Sequence, residues 1–132
     1  LDNNRLIELA KEARDSALPY ISKFKVGAAL LTKSGKVITG CNIEDPSGIG
    51  ITNICAERCA MVKALSEGYD EFDRIAVAGG VDELIFCTPC GVCRQYLNSF
   101  CPEIIVVFID GNGDVRELAL SDMLPYSFNE KF

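Results

Sequence analysis

Histidine is absent from all 132 residues. That removes zinc sites built on imidazole, Ser/His/Asp triads and Cys/His dyads in one step, and any proton must be moved by Glu, Asp, Lys, Tyr or Cys. Positive charge is also short: 13 Lys and Arg stand against 19 Asp and Glu, a formal net charge of −6. A partner held through its phosphate backbone needs a basic stripe, so no nucleic-acid polymer is expected, and any substrate of that chemistry would be a monomer. No apolar run approaches the roughly 20 residues that span a bilayer. Leu1-Asp2-Asn3-Asn4-Arg5 is not a basic segment leading into an apolar one. The expectation is a cytoplasmic chain with no membrane partner.

What is present suits one globular domain over residues 1–132, with 48% apolar and 24% charged residues and no low-complexity segment. A chain of this length buries roughly two-thirds of its unfolded surface. Seven cysteines are an odd number at high density. Without a secretory signal they favour metal or thiol chemistry over a disulfide framework.

Leu6, Leu9, Ala10, Ala13 and Ala17 recur at helical spacing over residues 3–17, and Pro19 ends the pattern. Residues 24–32 and 36–44 read as antiparallel strands joined at Ser34-Gly35. A two-residue loop there places Phe24 beside Asp45 and diagonal to Glu44. Asn42 and Glu44, two apart on a strand, leave one face and can grip vicinal hydroxyls. A mobile loop is expected at 46–50. A second helix over 55–66 presents Cys55, Cys59, Val62 and Leu65 at helical spacing, a strand follows at 73–80, and Pro89 opens a helix over 90–100. The apolar run 104–110 suits a strand buried on both faces, Gly111-Asn112-Gly113 a turn, and 114–118 a fifth strand before one helical turn at 121–124. The order α-β-β-α-β-α-β-β predicts an α/β fold, a three-layer α-β-α sandwich around a mixed five-stranded sheet.

Cys90 and Cys93 lie at i and i+3 in the first turn of a helix, and Cys55 stands at the start of another. Helix N-termini favour thiolates, so these are three candidate zinc ligands. Three protein ligands leave a tetrahedral metal one position for water, and Glu57 is an acid near the metal that need not bind it. Zinc with three thiolates carries a net charge of about −1, which Arg58 and the helix ends can offset. Two rivals use the same cysteines: a closed structural zinc on Cys55, Cys59, Cys90 and Cys93, and a redox pair Cys90–Cys93. Both leave Glu57, Asn42 and Glu44 without a role.

Cys55-Ala56-Glu57 followed by Pro89-Cys90-Gly91-Val92-Cys93 is the known signature of zinc deaminases in an all-cysteine form. The chain resembles the small homotetrameric cytidine deaminases. Phe24-Lys25-Val26-Gly27-Ala28-Ala29-Leu30, Gly40-Cys41-Asn42-Ile43-Glu44, Cys93-Arg94-Gln95 and Leu124-Pro125-Tyr126-Ser127-Phe128 fall in that family's order. The resemblance implies one zinc per chain on Cys55, Cys90 and Cys93, Glu57 as proton shuttle, and Asn42 and Glu44 on the ribose 3′-hydroxyl. It also implies contact of the Ala56 backbone with the pyrimidine, and of Phe24 and Phe128 with the base, Phe128 from a neighbouring subunit of a homotetramer. The implied reaction is attack of zinc-bound hydroxide on C4 of cytidine or deoxycytidine in pyrimidine salvage, giving the uridine product and ammonia. A blasticidin-S-type deaminase is the related alternative, against which Glu44 argues. The chain departs from the family pattern between Asp45 and Asn53, where it is about two residues longer and has no tyrosine.

Overall fold

A computed structural model describes residues 1–129. Helix α1 (Asn3–Ala13) starts where the Asp2 carboxylate accepts the Arg5 amide at 2.8 Å. It buries Leu6, Ile7 and Ala10, then tightens into one 3-10 turn, Arg14–Ser16, which ends the regular helix earlier than its apolar spacing suggests. Strands β1 (Val26–Thr32) and β2 (Val37–Cys41) follow, then α2 (Ala56–Ser66), β3 (Phe72–Gly79), α3 (Gly91–Phe100), β4 (Ile105–Ile109), β5 (Val115–Ala119) and α4 (Leu120–Met123).

The five strands form one sheet in the order β2-β1-β3-β4-β5, parallel only between β3 and β4. Alternation along the strands splits the core in two. Ala28, Leu30, Val106 and Phe108 pack with Ala56, Ala60, Met61 and Leu97. Ala29, Leu31, Val107 and Ile109 pack with Leu6, Ile7 and Ala10 of α1. The layers are therefore α1, sheet, and α2 with α3, the expected sandwich.

One local expectation is corrected. The β1–β2 loop has three residues, Lys33-Ser34-Gly35: the Thr32 amide donates to Lys36 O at 2.9 Å, and Gly35 takes φ +96°. A glycine in that conformation is what a three-residue hairpin requires. Gly27 pairs with Cys41 and Leu31 with Val37, so the register is one residue from that of a two-residue loop and extrapolates to Phe24 opposite Glu44. The buried face of α2 is Ala56, Glu57, Ala60, Met61 and Ala64, whereas Val62 is 44% exposed. Close approach explains this choice of small residues. A Cβ on Gly40 would fall 2.5 Å from Ala60 N and 2.7 Å from Ala56 O, so the helix lies almost on the backbone of β2.

Topology gathers one end of the sheet. Helix α2 runs into β3 and α3 leaves it, so both helices start beside the C-terminal end of β3. The antiparallel pairing Val26↔Gly79 and Gly27↔Cys41 brings the start of β1 and the end of β2 to the same end. Ligands commonly bind at such carboxyl ends of parallel strands in α/β sheets.

Candidate metal centre and active site

Cys55 and Cys90 are the N-cap residues of α2 and α3, and neither side chain makes a capping hydrogen bond. Their sulfurs project beyond the helix ends and meet 3.7 Å apart, while Cys90 and Cys93 are separated by 3.5 Å. Among the described residues, Cys55, Cys90 and Cys93 form the group of side chains that could hold a metal ion, with every sulfur within 4.8 Å of the others. Tetrahedral zinc with bonds near 2.3 Å separates its sulfurs by about 3.8 Å, so the donor set fits in kind and in spacing.

Cys59 is outside this group. Its Cβ points at β2, 3.0 Å from where a Cβ on Gly40 would stand, because one full helical turn from the cap carries it over the sheet. The four-cysteine site is thereby excluded among the described residues. The redox pair is not favoured either, since Cys90 and Cys93 share their corner with a third thiol that such a pair does not need.

The electrostatics follow from crowding three thiols. Cys55 is pushed down to about 5, chiefly by a hydrogen bond from the Cys93 thiol and further by Arg58. Cys93 is pushed well up by that same bond and by burial. Arg58 Nη2 lies 3.6 Å from Cys55 Sγ and 3.5 Å from Asn53 O, placing its positive charge beside the sulfurs. Glu57, with only 3% of its surface exposed, sits in the first turn of α2 and stays outside the ligand group. Burial pushes its carboxyl up to about 7, with a further push from Cys55 and an opposing hydrogen bond from Cys93.

Asn42 and Glu44 lie beyond the end of β2 and serve the backbone. Asn42 Oδ1 accepts the Val26 amide and Nδ2 donates to Phe24 O, both at 2.8 Å, so its side chain continues the β1–β2 ladder past its end. Glu44 Oε1 accepts the Ile21 and Ser22 amides at 2.7 and 2.8 Å. A side-chain hydrogen bond from Ser22 is the largest influence holding its carboxyl below the ordinary range. The turn that delivers Phe24 is thus tied to Glu44. Phe128 lies at the outer side of α3, where Gln95 grips its main chain: Nε2 donates to Phe128 O at 2.8 Å and Oε1 accepts its amide at 3.0 Å.

The segment 45–53, which contains the loop 46–50, is knit together by hydrogen bonds. Asp45 accepts from the Ser47 amide, the Ser47 hydroxyl and the Thr52 hydroxyl, and its own amide donates to Asn53 Oδ1. Arg94, named in the sequence only as part of a motif and given no role, donates from its guanidinium to Pro89 O, Thr88 Oγ1 and Met123 O and thereby fixes the approach to Cys90. Its place one residue after Cys93 was the available signal.

A buried carboxyl close to three convergent thiols suits a metal-dependent hydrolytic enzyme. Residues 2–109 match the family described as cytidine and deoxycytidylate deaminase zinc-binding region. A cytidine deaminase of Halalkalibacterium halodurans is 45% identical over 130 residues, covering 97% of this chain and 95% of the relative. The crystal structure of a cytidine deaminase from Burkholderia pseudomallei superposes with a TM-score of 0.87 at 43% identity, covering 97% of this chain and 100% of that one. A blasticidin-S deaminase of Bacillus cereus is 33% identical over 129 residues, 93% of this chain and 89% of the relative. This chain belongs to the cytidine and deoxycytidylate deaminase zinc-binding family, and it is a zinc-dependent deaminase. No helix among the described residues is long and apolar enough to cross a membrane.

Proposed function

We propose that the chain hydrolyses the exocyclic amine of cytidine and deoxycytidine, giving uridine and deoxyuridine in cytoplasmic pyrimidine salvage. The observation that carries this reading is Glu57, a buried carboxyl in the first turn of α2, within reach of Cys55 and Cys93 and outside the ligand group. Cys55, Cys90 and Cys93 would hold one zinc ion, which when bound supplies Lewis-acid activation of water. Arg58 offsets the negative charge of the thiolates through its approach to Cys55.

Glu57 accepts a proton from the attacking water on a carboxylate oxygen and delivers it to N3 of the base as the water oxygen bonds to C4. The proton left on the new C4 hydroxyl then passes through Glu57 to the amino nitrogen, the C4–N bond breaks as C4=O forms, and ammonia leaves. A carboxyl whose burial disfavours its charged form takes a proton readily and can pass it on within one turnover. The Ala56 backbone, at the first position of α2, meets the polar edge of the pyrimidine, and Phe24 stacks on the base. Asn42 and Glu44 bind the ribose 3′-hydroxyl. Their bonds to β1 and to the 21–22 turn hold both side chains before substrate arrives, which lowers the cost of ordering them.

A homotetramer suits the exposed apolar surface of α2 and α3. A cavity there is lined by Ile54, Val62, Val92 and Tyr96, and Val92 is 62% exposed. Gln95, which grips Phe128, lines the same cavity, so Phe128 lies beside the face on which a neighbouring copy would dock. Light scattering is expected to give four times the chain mass.

The relative from Bacillus cereus makes blasticidin S the competing substrate, and Glu44 favours a ribose in its place. Ultraviolet absorbance assays with cytidine, deoxycytidine and blasticidin S decide between them. Turnover of the two nucleosides is expected. Turnover of blasticidin S alone would overturn the nucleoside reading.

A further inference from the structure

Gly79 closes β3 opposite Val26, at the sheet end where the candidate active site gathers. A Cβ built on it would fall 2.7 Å from Cys87 Sγ and 2.8 and 2.9 Å from two ring carbons of Phe24. A side chain at 79 and the present positions of Phe24 and Cys87 therefore exclude one another. Gly40 is a different case, because there the obstruction is the backbone of α2. At Gly79 the nearest atoms all belong to side chains. The missing Cβ leaves a slot, and the Phe24 ring and the Cys87 sulfur fill it together.

The main chain on either side of that ring is already fixed. Lys23 takes φ +62°, the Phe24 amide donates to Ser22 Oγ at 3.2 Å, and Phe24 O accepts from Asn42. What remains adjustable is the seat of the ring, and the slot sets it. Cys87 is not one of the three gathered thiols. Burial pushes it up to about 12, so it stays neutral and packs as a small apolar group. It also lies within electrostatic reach of Glu57, which places the slot beside the proton carrier.

We propose that Gly79 and Cys87 are positioning residues that seat the Phe24 ring and thereby set how tightly the pyrimidine base is held. The proposal rests on the reading of Phe24 as a base contact. It assigns the glycine at 79 a part in substrate affinity, beyond any role in ending a strand. A displaced ring weakens base binding without touching the proton path, so the effect falls on KM more than on kcat.

The test uses the zinc-loaded full chain as Gly79→Ala, Cys87→Ala and the double variant, with zinc content, kcat and KM for cytidine, and Tm. Gly79→Ala is expected to keep its zinc and raise KM about tenfold, with kcat within about threefold. Cys87→Ala alone, which opens space rather than filling it, is expected to raise KM about threefold or less. The double variant should recover most of the Gly79→Ala loss, because the new methyl enters the volume the sulfur vacated, and Tm should show the same non-additivity. If Gly79→Ala folds poorly, rescue of its Tm by Cys87→Ala reads the slot, and the KM of Cys87→Ala reads the ring.

An unchanged KM in Gly79→Ala, or effects of the two changes that simply multiply, would overturn the proposal. Coupling in Tm with KM unmoved would overturn it too, while leaving the deaminase reading standing. Failure of the unaltered protein to turn over cytidine overturns that reading instead.

Discussion

Cys55 Sγ and Cys90 Sγ lie 3.7 Å apart although 35 residues separate them in the chain. Neither sulfur is drawn there by a loop wrapped around an ion. Each is the cap of a helix whose start is fixed by the strand order, so the metal site is prepared by the sheet.

This geometry separates Cys59 from the ligands. Cys90→Ser is expected to lower bound zinc far below one ion per chain, since removing one of three thiolates costs much of the affinity. Cys59→Ser is expected to leave it at one. Elemental analysis of the purified variants checks both, and zinc loss in Cys59→Ser would revive the four-cysteine site.

Removing zinc exposes the cost of burying Glu57. Its folded value near 7 exceeds its ordinary 4.5, so between these values the folded chain holds a proton that the unfolded chain releases. The associated stability is complete below about pH 4.5 and is lost as pH rises through 7. Glu57→Gln carries no such charge. Metal-free Glu57→Gln is expected to gain on metal-free wild type as pH rises, by up to about 3 kcal/mol above pH 7. Urea titrations at pH 5 and pH 8 measure this, and a difference that does not change with pH contradicts it.

Gly40 reports on how closely α2 must approach β2. Gly40→Ala puts a methyl 2.5 Å from Ala60 N, and relieving it requires the helix to move. The expected loss is about 1–3 kcal/mol of stability by urea denaturation. Moving α2 also moves Cys55, so zinc affinity should fall with it.

Much of this was legible in the sequence because chemistry and periodicity pointed the same way. The i, i+3 pair Cys90 and Cys93 after Pro89 announced a helix start with two ligands, and the apolar run from Ile104 announced a strand buried on both sides. The β1–β2 register was misread because Ser34-Gly35 is compatible with loops of two and three residues, and only the conformation of Gly35 separates them. The face that α2 buries was not assigned from the sequence, and contact with Gly40 puts the small residues Ala56 and Ala60 on it. Glu44 was read as a ligand group alone; its bonds to Ile21 and Ser22 join residues whose approach no local pattern shows. Cys87 went unassigned because the Phe24 ring that it meets at Gly79 comes from the segment before β1, far away in the chain.

The central claim is that Glu57 moves protons without binding the metal. The most direct measurement is Glu57→Gln, assayed for zinc content and cytidine turnover in the same preparation. The expected result is about one zinc ion per chain with turnover reduced by at least about a hundredfold. Turnover close to that of the unaltered protein, with zinc in place, would contradict the account.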